Sequence, residues 1–270
     1  LIGAVMSDKP DGPESERACG APAVTRAIRI LDLLAEQRGQ TLTLSEIARG
    51  LGLAKSSVSN MCAALEEGGL VRRTAAGYLL GRRTVELGSA YLSGFDQIRE
   101  FYRVCEESPI LRRQLVQIAM LDGARVLYLA VHEGRERFPL SASVGDRYPA
   151  SATAVGTILL SELTPERVAA LYWDQREFVG FTERSTSTIA QLQAKLAATR
   201  NRGYALDEGE VHATVLGIAV LVPGSGSGNP SFGLGVSIVH PTGSDDERTT
   251  ILSALQEAAA RLTRPRLLSA

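Results

Sequence analysis

The chain has few cysteines and histidines and no long apolar run, and each shortage argues against a class of protein. Its three cysteines, Cys19, Cys62 and Cys105, stand 43 residues apart without paired spacing, and its three histidines are equally scattered. We therefore predict neither a disulfide framework nor a zinc site, and we expect no cofactor. No run of about 18 apolar residues occurs, so the sequence predicts no membrane-spanning helix.

The composition is typical of a soluble protein with packed domains. Hydrophobic residues make up 44% and charged residues 22% of the 270 residues, and a chain of this length favours one small and one larger domain. Residues 1–21 contain Pro, Gly, Ser and acidic residues but lack the basic start and apolar core of a signal peptide. They predict a disordered tail, and we expect a cytoplasmic location.

A net charge of −1 hides a regional asymmetry. Residues 22–83 contain nine Lys and Arg against five Asp and Glu, a net charge of +4, which leaves −5 on the rest of the chain. A basic module on an acidic body suits DNA binding through one face, because neutralising phosphates releases counterions.

Apolar residues at helical spacing predict three short helices near the start of the chain, over residues 23–36, 44–50 and 55–67. Thr43 and Glu46 have the spacing of a capping box at the start of the second helix, and Thr43 is also a candidate DNA contact. Gly52 then permits a sharp turn into the third. Two short helices around such a turn predict a helix-turn-helix, whose second helix can lie in the DNA major groove.

The third predicted helix has a polar face formed by Lys55, Ser56, Ser57, Ser59 and Asn60. Short side chains let a helix approach the groove floor, and an Asn amide can pair with adenine. The serines and Lys55 can equally hold phosphates, and the simpler alternative is a solvated helix face.

Two short strands are predicted next, at 70–72 and 77–80, joined by Thr74-Ala75-Ala76. Four arginines bracket this hairpin: Arg72, Arg73, Arg82 and Arg83. Crowded guanidinium groups favour an anion, and phosphate is the obvious one, although ordinary surface arginines are the alternative.

The rest of the chain predicts a mixed α+β domain. Residues 84–107 have helical spacing that Gly94 interrupts, and strands at 114–121 and 125–132 flank an Asp122-Gly123 turn. A strand at 137–143, a helix at 151–162 and a flexible loop at 224–230 are predicted further on. The remaining elements are helices at 165–172, 188–202 and 244–262 and strands at 204–207, 214–222 and 231–239.

Small side chains and free amides at a helix start can hold a carboxylate without catalytic groups, and the candidates here are Ala152, Thr153, Ala154, Val155 and Gly156. Asp207, Glu208 and Glu210 follow a predicted strand, where a carboxylate can accept a ligand hydroxyl or simply fix a solvated loop. Ser237 alternates onto one sheet face, as an effector donor or as a structural hydroxyl.

Four stretches resemble the IclR family of bacterial transcription factors: TLSEIARGLGLAKSSVSNMCAALEEGGLVRR, GYLLGRRTVELGSAYL, SVGDRYPASATAVGTILLSELTPERV and RNRGYALDEGEV. The resemblance implies a winged helix-turn-helix at 22–83, a linker helix at 84–100 and a GAF-like α/β effector-binding domain at 101–270. It further implies a homodimer, often paired into a tetramer, on pseudo-palindromic double-stranded operators of catabolic genes. An organic acid or aromatic metabolite would act as effector.

Departures from the family pattern concern the effector site and the recognition helix. Thr157 stands where many members have Lys, Gly217 where a Cys often faces the effector, and Gly235 where Ser is common. With Tyr148, the two glycines complete the effector residues implied by the resemblance. We expect a roomier, less polar pocket that accepts effectors larger than glyoxylate. Ser59 and Asn60 replace the family's usual His-Arg pair, so the operator sequence cannot be transferred from relatives.

Two other functions are weighed against a regulator. An enzyme with a DNA-binding head would use Glu208, Glu210 and His212 as an acid/base group, but the sequence has no phosphate-binding loop and no nucleophile elbow. A scaffold using the helix-turn-helix for protein contacts would not need the arginines around the hairpin. The sequence therefore predicts a regulator that is not an enzyme.

Overall fold

The computed structural model describes residues 21–134, 142–174, 177–224, 229–239 and 245–263. The chain divides into two compact units, residues 1–94 and 95–270. The predicted tail and most of the predicted 224–230 loop lie outside the described residues. No helix in the described ranges is long and apolar enough to cross a membrane.

The first unit contains α1 (Pro22–Glu36), α2 (Leu44–Leu51), α3 (Lys55–Glu67), β1 (Val71–Thr74), β2 (Gly77–Leu80) and α4 (Arg83–Ser93). The three predicted helices and the hairpin are confirmed: six of their ten boundaries agree, three shift by one residue, and the end of β1 shifts by two. One core joins them, in which Ile30, Ile47, Val58 and Cys62 are fully buried. The order and packing are those of a winged helix-turn-helix.

Local signals explain the turns of this unit. Thr43 and Glu46 form the predicted capping box, and Gly52 ends α2 in the left-handed conformation at φ 66°. Gly77 has φ 143°, and a Cβ there would lie 2.4 Å from the Leu42 carbonyl oxygen. Glycine is therefore needed for β2 to pair with the segment before α2, where Tyr78 and Leu42 exchange two backbone hydrogen bonds.

The second unit contains α5 (Asp96–Glu107), β3 (Leu115–Asp122), β4 (Arg125–His132), β5 (Arg147–Pro149), α6 (Ala154–Ser161), α7 (Pro165–Leu171), α8 (Ile189–Arg202), β6 (Ala205–Glu208), β7 (Val215–Val222), β8 (Phe232–Val239) and α9 (Asp245–Thr263). The strands form an antiparallel sheet of order β5-β4-β3-β8-β7-β6. α6, backed by α8, covers one face, and α5 and α9 cover the other. The predicted α+β class is confirmed.

Several sequence predictions need correction. The helix predicted from 151 begins at Ala154, because residues 150–152 form a 3-10 turn and Thr153 caps the helix by accepting a hydrogen bond from the Gly156 N–H at 3.1 Å. The predicted interruption of the helical stretch 84–107 at Gly94 is confirmed, because this stretch is divided there into α4 and α5. Most of the strand predicted at 137–143 lies outside the described residues, while β5 was not predicted.

Candidate functional site

The polar face of α3 points away from the core of the first unit. Lys55, Ser56, Ser59 and Asn60 are exposed and Ser57 is half-buried, whereas Val58, Cys62 and Leu65 are buried on the opposite side of the helix. The face is therefore accessible to a partner along the first two turns of α3.

The starts of α2 and α3 differ in how their free amides are satisfied. The Thr43 N–H donates to the Glu46 carboxylate at 2.8 Å, and the Glu46 N–H donates to the Thr43 hydroxyl at 3.3 Å. The Thr43 hydroxyl also donates to the Glu46 carboxylate, at 2.7 Å. This hydrogen bond, and after it the one from the Thr43 N–H, lowers the pKa of Glu46. α3 has no side-chain cap at Ala54, so its first amides remain available to an anion. Thr43, a predicted DNA contact, thus has a structural role in the helix start.

The four arginines around the hairpin are all exposed. The Arg73 guanidinium lies 5.7 Å from the centre of the Tyr78 ring, and Arg83 pairs with Glu86 at 4.0 Å. Within the described part of the chain, Arg72 and Arg82 have no salt bridge. These two cations are therefore the ones most available to phosphates.

The predicted effector residues of the second unit meet on the sheet face that α6 covers. Asp207 on β6 pairs with Gly217 on β7, and Gly217 pairs with Ser237 on β8, so the three lie in one row across the sheet. The first turn of α6 lies over this row, because a Cβ on Gly217 would be 3.1 Å from the Ala154 Cβ. The 3-10 residue Ala152 is fully buried beside it.

The expectation that the glycines make a roomier pocket is wrong at both positions. A Cβ on Gly217 would lie 3.1 Å from the Asp207 Cβ, and one on Gly235 would lie 2.8 Å from Val155 Cγ1. The space beside each glycine is occupied by close packing of α6 against the sheet. Thr157 is also fully buried within α6.

Two polar residues on this face were missed by the sequence prediction. Gln117 on β3 is 6% exposed and accepts a hydrogen bond from the Ser237 hydroxyl at 3.4 Å. Tyr128 on β4 is buried, and this burial, only partly offset by a hydrogen bond with Thr153, raises the pKa of its hydroxyl. The one signal available in the sequence was a polar residue inside each of two apolar strands.

Aromatic rings line one side of this polar cluster. The Tyr148 ring meets the Tyr128 ring edge-to-face at 5.9 Å, and the centre of the Phe181 ring lies 6.4 Å from that of Tyr148. Such rings provide apolar surface for a ligand, while the tyrosine hydroxyls provide hydrogen bonds.

Asp207 is the buried acid of the cluster. Burial raises the pKa of its carboxyl from the ordinary 3.8 to about 6, although a hydrogen bond donated by the Glu210 N–H at 2.7 Å opposes the rise. The carboxyl therefore gains its negative charge as the pH rises through about 6.

Lys195 on α8 links the two walls of the candidate site, which are the turn before α6 and the loop after β6. Its ammonium group forms a salt bridge with Glu210 and donates to the Ser151 carbonyl at 2.8 Å. Glu210 also accepts hydrogen bonds from the Thr186 N–H at 3.0 Å and hydroxyl at 2.8 Å. The pair therefore fixes the turn before α6 against the loop after β6. Its position was not predicted, because Lys195 lies far from the other residues in sequence.

The acid/base group of the enzyme alternative is not assembled as that reading requires. The Glu210 carboxylate is held by Lys195 and Thr186, and Glu208 is exposed. Among the described residues, no cluster of three or more His, Cys, Asp or Glu is placed to hold a metal ion.

A prediction follows from the Asp207 environment. Because its pKa is raised in the folded protein, the neutral acid stabilises the fold below about pH 4, and this contribution is lost as the pH rises through about 6. The Asn side chain of an Asp207→Asn variant cannot ionise, but its oxygen can still accept the hydrogen bond from the Glu210 N–H. By urea unfolding, we expect the variant to exceed wild type by up to about 3 kcal/mol at pH 7 and to match it near pH 4. An equal difference at both pH values would contradict this.

Family models match both units of the chain. The IclR helix-turn-helix domain matches residues 23–75, and the C-terminal domain of the bacterial transcriptional regulator IclR matches residues 89–264. The chain is 29% identical to the HTH-type transcriptional regulator XynR of Escherichia coli (strain K12) over 244 residues, which cover 90% of this chain and 96% of XynR.

Solved structures agree with this similarity. The repressor BlcR of Agobacterium tumefaciens is 31% identical, with a TM-score of 0.58 over 90% of this chain and 96% of BlcR. An IclR homologue of Microbacterium hydrocarbonoxydans, solved with 4-hydroxybenzoate, shares the fold at 23% identity, with a TM-score of 0.74 over 89% of this chain and 97% of that one.

Proposed function

The chain belongs to the IclR family of bacterial transcriptional regulators, and from this premise we propose that α3 and the β1–β2 hairpin bind operator DNA under the control of a small molecule in the second unit. The observation that carries the proposal is the exposed polar face of α3 beside the exposed Arg72 and Arg82. An α-helix fits the major groove, and arginines at its flanks hold phosphates without reading sequence.

The effector site is proposed to lie where the first turn of α6 meets the polar row of the sheet. Thr153, Asp207 and Ser237 would bind the polar groups of an effector, and Tyr128 and Tyr148 would contact its apolar part. A carboxylic acid with an aromatic or apolar body suits this set, because the hydroxyls of Thr153 and Ser237 can donate to a carboxylate. The complex of the Microbacterium homologue with 4-hydroxybenzoate supports this class.

Strand β8 connects the proposed effector site with the start of the second unit, so a movement at the site can be transmitted along it. Gly233 and Gly235 let α6 rest directly on the β8 backbone, since a Cβ on Gly233 would lie 2.6 Å from the Val155 carbonyl oxygen. The neighbouring Phe232 packs edge-to-face on Phe95, at 5.5 Å between ring centres. Phe95 directly precedes α5 and follows the end of α4, so an effector that shifts α6 acts on the junction with the DNA-binding unit.

The proposal is tested by combining a binding assay with a ligand screen. Labelled DNA from upstream of the gene should bind the protein in fluorescence anisotropy, with affinity falling steeply between 50 and 200 mM salt, as phosphate contacts require. A thermal-shift panel of keto acids, sugar acids and hydroxybenzoates should contain a compound that stabilises the protein and changes DNA affinity. No DNA binding at low salt, with or without the panel, would refute the regulator.

We further infer a homodimer on a pseudo-palindromic site, with pairing of dimers as an additional state. Within the described part of the chain α4 buries none of its residues, and Val85, Leu87 and Tyr91 are at least half exposed. Three large apolar side chains on one short helix favour a subunit contact.

Leu87→Lys is therefore expected to weaken self-association, because it places a charge in an apolar contact. Sedimentation of the full chain should show the dimer dissociation constant raised about tenfold or more. Ser89→Lys, an equal charge change at another exposed position of α4, is the matched control. Unchanged association in the Leu87 variant would place the contact elsewhere.

We also propose that the chain is not an enzyme. Regulation of this kind needs only differential binding of effector to two states, and the buried Glu210 is committed to Lys195 and Thr186.

A further inference from the structure

Charge is distributed unevenly along α3, and this fixes which end approaches DNA. Lys55 is the first residue of the helix, and Glu66 and Glu67 are the last two. The amides of the first turn lack a side-chain cap, which adds partial positive charge at that end. The acidic end is repelled by phosphates, so the part of α3 that enters the groove is the stretch before that end, from Lys55 to Ala63.

Four side chains form the centre of the exposed face. Ser56, Ser59, Asn60 and Ala63 are spaced i, i+3, i+4 and i+7, which places them on one side of a helix, and all four are exposed. Ala63 was not among the predicted contacts, because an alanine has no polar group to mark it.

The chemistry of this face favours A·T over G·C. Guanine is read mainly by arginine or lysine, and α3 contains no arginine and only Lys55 at its edge. Asn60 has the only side-chain amide of α3. Among the described residues, this side-chain amide has no hydrogen-bond partner within the protein. An Asn amide offers the paired donor and acceptor that match adenine N7 and N6, and an exposed methyl such as that of Ala63 packs against the thymine methyl.

Resting on the proposed function, we propose that each operator half-site carries an A·T pair whose adenine is read by Asn60, next to a thymine whose C5-methyl packs against Ala63. Ser56 and Ser59 can contact several different bases. They therefore contribute little to sequence selection, and their short side chains set the distance between the helix and the groove floor. Lys55 holds a phosphate at the start of the helix.

The test begins with selection of binding sites from a random duplex library by the full-length protein. The enriched motif should contain the A·T pair in both half-sites. Changing that pair to G·C should weaken wild-type binding about tenfold or more, but should weaken Asn60→Ala binding less than threefold. A purely structural effect of the substitution would lower affinity for both sequences equally. Circular dichroism should show the variant folded, because Asn60 is exposed.

The thymine contact is tested by changing only one methyl group of the DNA. Replacing the neighbouring thymine by deoxyuridine should weaken wild-type binding about threefold and leave Ala63→Gly binding unchanged. Because both DNAs are compared on the same variant, any loss of helix stability from glycine cancels.

The outcomes separate this inference from the proposed function. If no sequence is enriched, the proposed function fails. If a motif is enriched but Asn60→Ala relaxes a G·C position, or relaxes none, DNA binding stands and the reading by Asn60 is overturned. If deoxyuridine weakens binding by wild type and Ala63→Gly equally, the Ala63 contact is overturned.

Discussion

Replacing Arg72 and Arg82 together by alanine is expected to weaken binding to the selected operator by about one to two orders of magnitude at physiological salt. The reason is that both guanidinium groups are exposed and have no salt bridge within the described part of the chain, so the proposed phosphate contacts are the interactions lost. Each lost phosphate contact should also lower the slope of log affinity against log salt by about 0.9. Fluorescence anisotropy between 50 and 300 mM salt measures both effects.

The matched control removes the same charge elsewhere. Arg112 and Arg167 are exposed and belong to the second unit, and their joint replacement by alanine changes the net charge equally. This control should leave the salt slope unchanged. Equal losses in the two double variants would mean that the arginines act only through overall charge, and no loss in the first would remove the hairpin from the interface.

Lys195→Met should destabilise the protein by about 3–5 kcal/mol, because it leaves the Glu210 carboxylate buried without its cation. Both side chains of this pair are at least 85% buried, and the ammonium group also holds the Ser151 carbonyl. Urea unfolding measures the loss. Adding Glu210→Gln to the same chain should recover much of it, because the orphaned charge is then removed.

A surface pair provides the comparison for this prediction. Arg261 pairs with Glu107, and both side chains are about a third to a half exposed. Arg261→Met is expected to cost less than about 1 kcal/mol, since exposed ion pairs are screened by water. If Lys195→Met costs no more than Arg261→Met, the buried pair does not fix the two walls of the candidate site.

Local features of the first unit were readable from the sequence because each depends on neighbours along the chain. The capping box of Thr43 and Glu46 and the turn at Gly52 involve contacts within five residues. The exposed face of α3 followed from the same periodicity. The need for glycine at position 77 could not be predicted from neighbouring residues, because it arises from contact with Leu42.

The candidate effector site was only partly predictable for the opposite reason. Asp207, Gly217 and Ser237 lie on three strands, and their common row depends on cross-strand register. Lys195 reaches Glu210 from α8, and Tyr128 and Gln117 are buried polar residues whose neighbours are distant in sequence. The two glycines were interpreted as vacated space, whereas in the fold they permit helix-to-sheet contact.

Hydrogen exchange of the full-length protein with and without selected operator DNA tests the central claim most directly. The account predicts that DNA slows exchange in the first half of α3 and in the hairpin between Arg72 and Arg82, while an equal amount of unrelated duplex at the same salt slows it less. Tight operator binding with α3 unprotected, and protection confined to other elements, would contradict the account.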